Sequence, residues 1–307
     1  MRLFRGPEGV RRRASGCALT IGTYDGLHLG HRALIARVRE HAYRLRAAAV
    51  LLTFEPTPRE YLVPENPPAR LTTLRERWRI LTAWALDYLW LLRFDEALRN
   101  LSADEFAQLL ARELEPRVVV VGHDFRFAKK GEGTAQALAA AGARLGFEVE
   151  VVPAVTLDGE RISSSGVRAA LAAGNFAHAQ RWLGRPWSMR GRVVRGLRLG
   201  RDLGFPTANL PLGRRRAPVA GIFAVRVRGA GSAALAGVAS LGTRPTVDGT
   251  RPLLEAHLFD FDGDLYGREI EVEFVRKLRD EERFATLAAL TAQMHCDAAA
   301  ARRILGA

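Results

Sequence analysis

Gly22-Thr23-Tyr24-Asp25-Gly26-Leu27-His28-Leu29-Gly30-His31 lies between an apolar run, Cys17-Ala18-Leu19-Thr20-Ile21, and the stretch Arg32-Ala33-Leu34-Ile35-Ala36-Arg37-Val38. The apolar run reads as a short buried strand. The stretch after the box has apolar residues at helical spacing, so the whole reads as strand, glycine-rich turn, helix. Gly22, Gly26 and Gly30 let the backbone turn tightly and let a ligand approach closely. His28 and His31 are three apart and share one face at the mouth of the helix. Free amides and the positive end of the helix dipole suit a bound phosphate there. Two imidazoles beside them can donate hydrogen bonds to its oxygens.

Working outward, the 307 residues exceed one average domain and predict two, each able to bury its own core. Charged and apolar fractions are those of an ordinary globular protein. Two cysteines, Cys17 and Cys296, form neither a disulfide framework nor a metal cluster, and fit a reducing cytoplasm. The basic N-terminus lacks the apolar core of a secretory signal. The longest apolar stretch, Ile80 to Leu92, carries Asp87 in its middle and is too short for a bilayer, so no membrane partner is expected. A net charge of +13 is compatible with nucleic acid. Arginines are scattered along the chain, with no Lys/Arg run longer than three, so the expected partners are anionic small molecules rather than nucleic acid.

The first part alternates strands and helices. Ala47–Phe54 is a second buried strand, Thr73-x-x-Glu76 caps a helix to about Ala85, and Tyr88–Phe94 returns as a strand. Ser102-x-x-Glu105 caps another helix, Arg117–Gly122 is a fourth strand, Thr134–Leu145 is helical, and Phe147–Val152 is a fifth strand. Continuous apolar strands of this kind belong to a parallel sheet covered on both faces. The expected fold is a doubly wound α/β domain over 1–183, with its site at the carboxyl ends of the strands. No G-x-G-x-x-G fingerprint or G-x-x-x-x-G-K-[ST] loop is present, which disfavours a dinucleotide dehydrogenase and a P-loop kinase. From residue 184 the pattern changes to short strands between Gly and Pro clusters, then a helical tail from about Thr286. Residues 184–307 are therefore expected to form a small antiparallel β-barrel domain with C-terminal helices.

The H-x-G-H box after a strand resembles the ATP-binding signature of the nucleotidylyltransferase superfamily. Four stretches, in order, resemble the FMN adenylyltransferase module of bacterial FAD synthetases: the Gly22–His31 box, Thr53-Phe54-Glu55-Pro56-Thr57-Pro58, Gly122-His123-Asp124-Phe125-Arg126-Phe127, and Ser163-Ser164-Ser165-Gly166-Val167-Arg168. The resemblance assigns Gly22, Asp25, His28 and His31 to ATP, with His28 and His31 on its phosphates. Ser164 and Arg168 go to the β- and γ-phosphates, and Asp124, Phe125, Arg126 and Phe127 to the flavin side. Departures are Tyr24 for a usual Phe, Thr57 for His, Gly166 for Arg, and Ala128 and Thr134 for Gly and an acidic residue. A cation lost near a triphosphate points to adenylylation that is slower or differently arranged.

Gly200-Arg201-Asp202-Leu203-Gly204-Phe205-Pro206-Thr207-Ala208-Asn209 contains P-T-A-N, the signature of riboflavin kinases, and further motifs follow in family order over about 185–306. Thr207 and Asn209, two apart on an extended segment, project to one side. Their hard oxygens suit Mg²⁺ that bridges nucleotide phosphates. Glu255 occupies the place from which the family draws its base for the ribityl hydroxyl. Gly200 to Gly204 are expected to form a flap over the nucleotide, and Arg195, where His is common, is expected to be peripheral.

Together these resemblances imply a cytoplasmic bacterial riboflavin kinase/FMN adenylyltransferase using ATP, riboflavin and FMN, with Mg²⁺. The alternatives are a riboflavin kinase with an impaired or altered first domain, and, from another class, a basic nucleic-acid-binding protein. Oligomeric state is left open.

Overall fold

A computed structural model describes the chain except residues 7–15, 197–199, 201–202 and 247–248, and the side chains of 244–246 and 249–251. Contacts divide it into two compact units, residues 1–68 with 74–163, and residues 69–73 with 164–307. Among the described residues no helix is long and apolar enough to cross a membrane.

The first unit holds β1 (Arg2–Arg5), β2 (Ala18–Ile21), α1 (Leu29–Leu45), β3 (Ala49–Glu55), α2 (Pro58–Leu62), α3 (Leu74–Ala83), β4 (Tyr88–Arg93), α4 (Glu96–Asn100) and α5 (Ala103–Leu114). It continues with β5 (Val118–Gly122), the two-residue pair β6 (Arg126–Phe127) and β7 (Gly133–Thr134), α6 (Ala135–Leu145), β8 (Glu148–Val152), and the short hairpin β9 (Thr156–Leu157) and β10 (Glu160–Arg161). Six of these strands form one parallel sheet in the order β1-β4-β3-β2-β5-β8. Successive side chains of a strand point to opposite faces. Leu19, Val50, Leu52, Val119 and Val121 thus pack against α5 and α6, while Ala18, Leu51, Val118 and Val120 pack against α1 and α3. Both faces are apolar, which is why these strands read as unbroken hydrophobic runs. The sequence order reverses at β2, between β3 and β5, and the Gly22–His31 turn leaves the sheet there. In open α/β sheets that reversal is where ligands bind.

The second unit opens with α7 (Ser164–Ala172) and α8 (Phe176–Leu183). Six antiparallel strands follow: β11 (Ser188–Arg192), β12 (Ala208–Pro211), β13 (Gly221–Arg228), β14 (Leu235–Thr246), β15 (Gly249–Leu258) and β16 (Glu269–Arg279), and then α9 (Leu287–Leu305). Their order is β11-β16-β13-β14-β15-β12. A bridge between Val194 and Asn209, with Val194 N donating to Asn209 O at 2.9 Å, brings the two ends together into a nearly closed barrel. The compact division at 163/164 falls earlier than the change of sequence pattern at 183/184. Its cause is Phe176 of α8, whose ring packs on Trp187, Phe223 and Phe274 of the barrel unit. Residues 69–73 join this unit because their carbonyls accept hydrogen bonds from Arg168, Trp187 and Arg214.

Candidate active sites

In the first unit the box at the end of β2 is a strained turn. Tyr24 (φ 52°), Gly26 (φ 83°) and Leu27 (φ 48°) are all left-handed. For the two non-glycine residues this conformation persists only when the surroundings over-determine it. Tyr24 is buried and its hydroxyl bonds Thr20 Oγ1, which itself donates to Val120 O at 2.7 Å. The hydroxyl that distinguishes Tyr24 from Phe therefore pins the turn to β2 and β5. Burial holds the phenol well above its ordinary pKa, so it stays protonated, and because Thr20 Oγ1 donates to Val120 O the Tyr24 hydroxyl is the donor to Thr20. His28 caps α1: its Nδ1 accepts from His31 N at 3.3 Å, which leaves Nε2 as the donor of the neutral ring. Its imidazole stacks on His31 at 3.7 Å between centroids, and Tyr24 lies 4.8 Å beyond. At Gly30 a Cβ would come within 3.1 Å of the His28 ring, a close approach that glycine accommodates without moving the ring. His28 is 6% exposed, Asp25 is buried, and His31 keeps a partly exposed edge.

The remaining expected residues of that site are placed as follows. Asp124 forms an ion pair with Arg161 on β10. Phe125 is half-buried, and Arg126 is exposed on β6. Phe127, the second ring that the resemblance puts on the flavin side, faces inward. It is 8% exposed, lies against Phe106, and occupies the space over Gly133, so it supports the stacked Phe125 from behind. Thr57, where His is usual, caps α2 by bonding Glu60 through both its hydroxyl and its backbone N–H. Ser164 opens α7 in the second unit, and Arg168 Nε donates to Ala69 O at 2.7 Å. Gly166, where Arg is usual, faces Trp182: a Cβ would lie 2.1 Å from the indole, so that ring fills the position of the missing side chain.

In the barrel, Asn209 lies directly opposite Glu255 in the β12–β15 register, and Glu255 opposite Ser240 in β14–β15. Directly paired residues share a face, so the amide and the carboxylate meet on one surface. It is the outer surface on which α9 lies, since Val238, on that face with Ser240, packs with Ala301 and Leu305. Asn209 Nδ2 donates to Thr207 O at 3.3 Å and lies 3.5 Å from Thr207 Oγ1. Asn209 is 6% exposed, and its Oδ1 is buried with no hydrogen-bond partner among the described residues. An unsatisfied buried carbonyl oxygen is costly and calls for a ligand. Thr207 also lines a cleft of about 750 Å³ with Arg195, Leu258, Asp262, Asp264 and Tyr266, a volume that suits a nucleotide. Arg195 is not peripheral: it lines this cleft with its guanidinium 5.6 Å from the Tyr266 ring centroid. Gly204 is left-handed (φ 81°) and Phe205 N donates to Gly200 O, but the expected flap includes residues 201–202, which lie outside the described residues.

Comparison with known proteins matches the FAD synthetase family to residues 10–166 and the riboflavin kinase family to residues 183–305. A bifunctional riboflavin kinase/FMN adenylyltransferase of Escherichia coli (strain K12) is 44% identical over 308 residues, covering 100% of this chain and 98% of that protein. One from Pseudomonas fluorescens is 45% identical over 306 residues, covering 99% and 98%. This chain belongs to the bifunctional riboflavin kinase/FMN adenylyltransferase family. The crystal structure of a protein named as a macrolide-efflux protein from Streptococcus pneumoniae shares the fold, with a TM-score of 0.79 and 29% identity over 96% of this chain and 97% of that one.

Against this family, three residues at the sites were not read from sequence. Arg77 on α3 binds the Gly22–His31 turn and Glu55. Arg161 pairs with Asp124. Glu281 lies over Gly242, where a Cβ would meet its Oε1 at 2.0 Å. Gly242 is two residues from Ser240, so Glu281 sits on the Glu255 face. Burial first, then the charge of Glu255, holds the Glu281 carboxyl above the usual carboxylate range. In a chain with 46 Lys and Arg residues, nothing in a single sequence separates a buried arginine from a solvated one.

Proposed function

We propose that the barrel unit transfers the γ-phosphoryl group of ATP to riboflavin, and that the α/β unit transfers the adenylyl group of a second ATP to the resulting FMN. In the barrel, Glu255 takes the proton of the ribityl 5′-hydroxyl, the freed oxygen attacks the γ-phosphorus, and ADP leaves. The nucleotide lies in the cleft lined by Thr207 and Arg195. Mg²⁺ belongs to this reading: Asn209 Oδ1 and Thr207 Oγ1 would hold it, and when bound it would neutralise phosphate charge. The observation that carries the assignment is the buried, unsatisfied Asn209 Oδ1 opposite Glu255.

In the α/β unit an FMN phosphate oxygen attacks the α-phosphorus of ATP and pyrophosphate leaves. The unit forms no covalent bond with either substrate, so its contribution is positioning and electrostatics. His28 offers Nε2–H to phosphate oxygens because its Nδ1 is engaged at the helix cap. Phe125 packs on the isoalloxazine ring. The enzyme works in the cytoplasm, a placement supported by its ATP substrate and its two free cysteines. An impaired first domain is not favoured, because the bifunctional relatives align with the chain from end to end.

The test separates the flavins made from riboflavin, or from supplied FMN, with ATP and Mg²⁺. Asn209→Ala and Glu255→Ala should lower FMN formation by about 100-fold or more and leave FAD formation from FMN within about twofold. His31→Ala should do the reverse. Both activities falling together in each variant would refute the two-site division.

A further inference from the structure

Arg77 is 1% exposed and lies within the first unit, on α3. Its Nη1 donates to Thr23 O at 2.8 Å and to Thr53 Oγ1 at 3.1 Å, and its Nη2 donates to Glu55 Oε2 at 2.8 Å. Thr53 Oγ1 also donates to Thr23 O, at 3.3 Å. One planar guanidinium therefore joins three elements: the helix that carries it, the carboxyl end of β3, and the second residue of the Gly22–His31 turn. Immediately after Thr23 come the left-handed Tyr24, Gly26 and Leu27, and the turn ends at His28, whose ring caps α1 and stacks on His31. A turn with two strained non-glycine residues holds its shape only if something external fixes it.

A buried ion pair is a poor device for stability, since apolar residues of similar volume often serve as well or better. Its planar fork instead gives direction, because two terminal nitrogens fixed relative to each other and bound to different residues set the relative positions of those residues. We propose that Arg77 is a positioning residue of the adenylyl-transfer site. By holding the Thr23 carbonyl against β3 it sets the path of residues 22–28, and so the placement of His28 and His31 against the nucleotide. It acts through the turn and touches no reacting atom. The inference rests on the reading of His28 and His31 as phosphate contacts.

The experiment uses the full chain with Arg77→Lys, Glu55→Gln and His31→Ala, assayed for both reactions, with amide hydrogen exchange on each variant. A lysine offers one nitrogen where arginine offers two, so it loses the planar fork that sets Thr23 O and Glu55 Oε2 at fixed positions. Arg77→Lys is expected to lower kcat for FMN adenylylation about 10- to 100-fold, the cost of a misplacement of about 1 Å. KM for FMN should change less than about threefold, with riboflavin phosphorylation within about twofold of the parent. Amides of residues 22–28 should exchange faster while β2 and β5 keep their protection. Adenylylation at the parental rate would overturn the proposal. So would protection lost throughout the sheet in proportion to activity, which would make Arg77 a plain structural brace. Should Arg77→Lys fail to fold, Glu55→Gln removes the charge that anchors Nη2 and leaves Nη1 on Thr23. It should lower adenylylation kcat by about three- to tenfold, and an unchanged rate would overturn the proposal. His31→Ala separates the two levels of inference. If it abolishes adenylylation while Arg77→Lys does not, only the Arg77 role fails. If it leaves adenylylation intact, the reading of the turn fails and the Arg77 role with it.

Discussion

Gly196 and Gly30 both sit against a side chain of a candidate site: a Cβ on the first would meet the Asn209 amide at 2.7 Å, and one on the second would come within 3.1 Å of the His28 imidazole. Both are cases of close approach rather than of unusual backbone. Ala128 is the opposite case. The family usually has glycine there, and this chain holds an alanine at φ 65°, ψ −173°. That region is essentially reserved for glycine and costs other residues about 1–3 kcal/mol. Glycine loses about 0.5–1 kcal/mol in return, through the greater freedom of its unfolded chain. Ala128→Gly should therefore stabilise the first unit by about 1 kcal/mol, seen as a rise of roughly 2–4 °C in its thermal midpoint. An unchanged or lower midpoint would count against strain at this position. The departures at Thr57 and Gly166 are also settled locally: the threonine serves as a helix cap, and Trp182 covers the glycine. Neither change leaves a hole, so neither predicts an unstable domain.

Among the elements, the parallel strands and most helices were legible because their apolar periodicity is set by two buried faces. β1 was not: its four residues are two apolar ones between two arginines, with no alternation to mark a strand, and it exists through backbone pairing with Tyr88–Leu91 on β4. β14 and β15 carry Pro245 and Pro252, residues that look like strand breakers in the sequence. Both strands run through them, and β12 pairs with β15 only from Leu253 onward, so the prolines lie where the sheet has narrowed to a two-stranded ribbon. The barrel site was legible as P-T-A-N and Glu255, whereas Arg77 and Glu281 were not, since their partners are distant in sequence. The same blindness hides the link between α1 and the edge strand β8. Arg37 Nε donates to Glu150 Oε1 at 2.7 Å, and His41 Nε2 bonds the other oxygen. The Arg37 hydrogen bond, opposed by partial burial and aided by His41, holds the Glu150 carboxyl below its ordinary range. A depressed folded-state value contributes stability above the ordinary carboxylate pKa, lost as pH falls through the folded value. Glu150→Gln should therefore unfold more easily than the parent at pH 7, by no more than about 1 kcal/mol because the pair is partly solvated. The gap should narrow as pH falls below the ordinary carboxylate range and close in acid, once the parent carboxyl is itself protonated in the folded state. Denaturant melts of both proteins at the two pH values measure it, and a gap that persists in acid would exclude the ion pair as its source.

At the level of the whole molecule, each compact unit has its own core: one lies on the two faces of the parallel sheet, the other inside and outside the barrel. What the two share is the sign of their charge, since arginines are scattered through both and the net charge is +13. Such a field raises the local concentration of anions and speeds their capture, and salt removes the advantage. ATP and FMN are multiply charged anions, whereas riboflavin is neutral, so one protein supplies both the test and its control. Raising ionic strength from about 0.01 M to about 0.15 M shortens the Debye length from about 30 Å to about 8 Å. Over that range kcat/KM for FMN in the second reaction should fall several-fold, with kcat itself little changed. KM for riboflavin in the first reaction, at saturating ATP, should stay within about twofold. If both flavins responded alike, the positive field would have no part in substrate capture. Salt-sensitive binding of an oligonucleotide that displaced neither flavin would instead assign the charge to another partner.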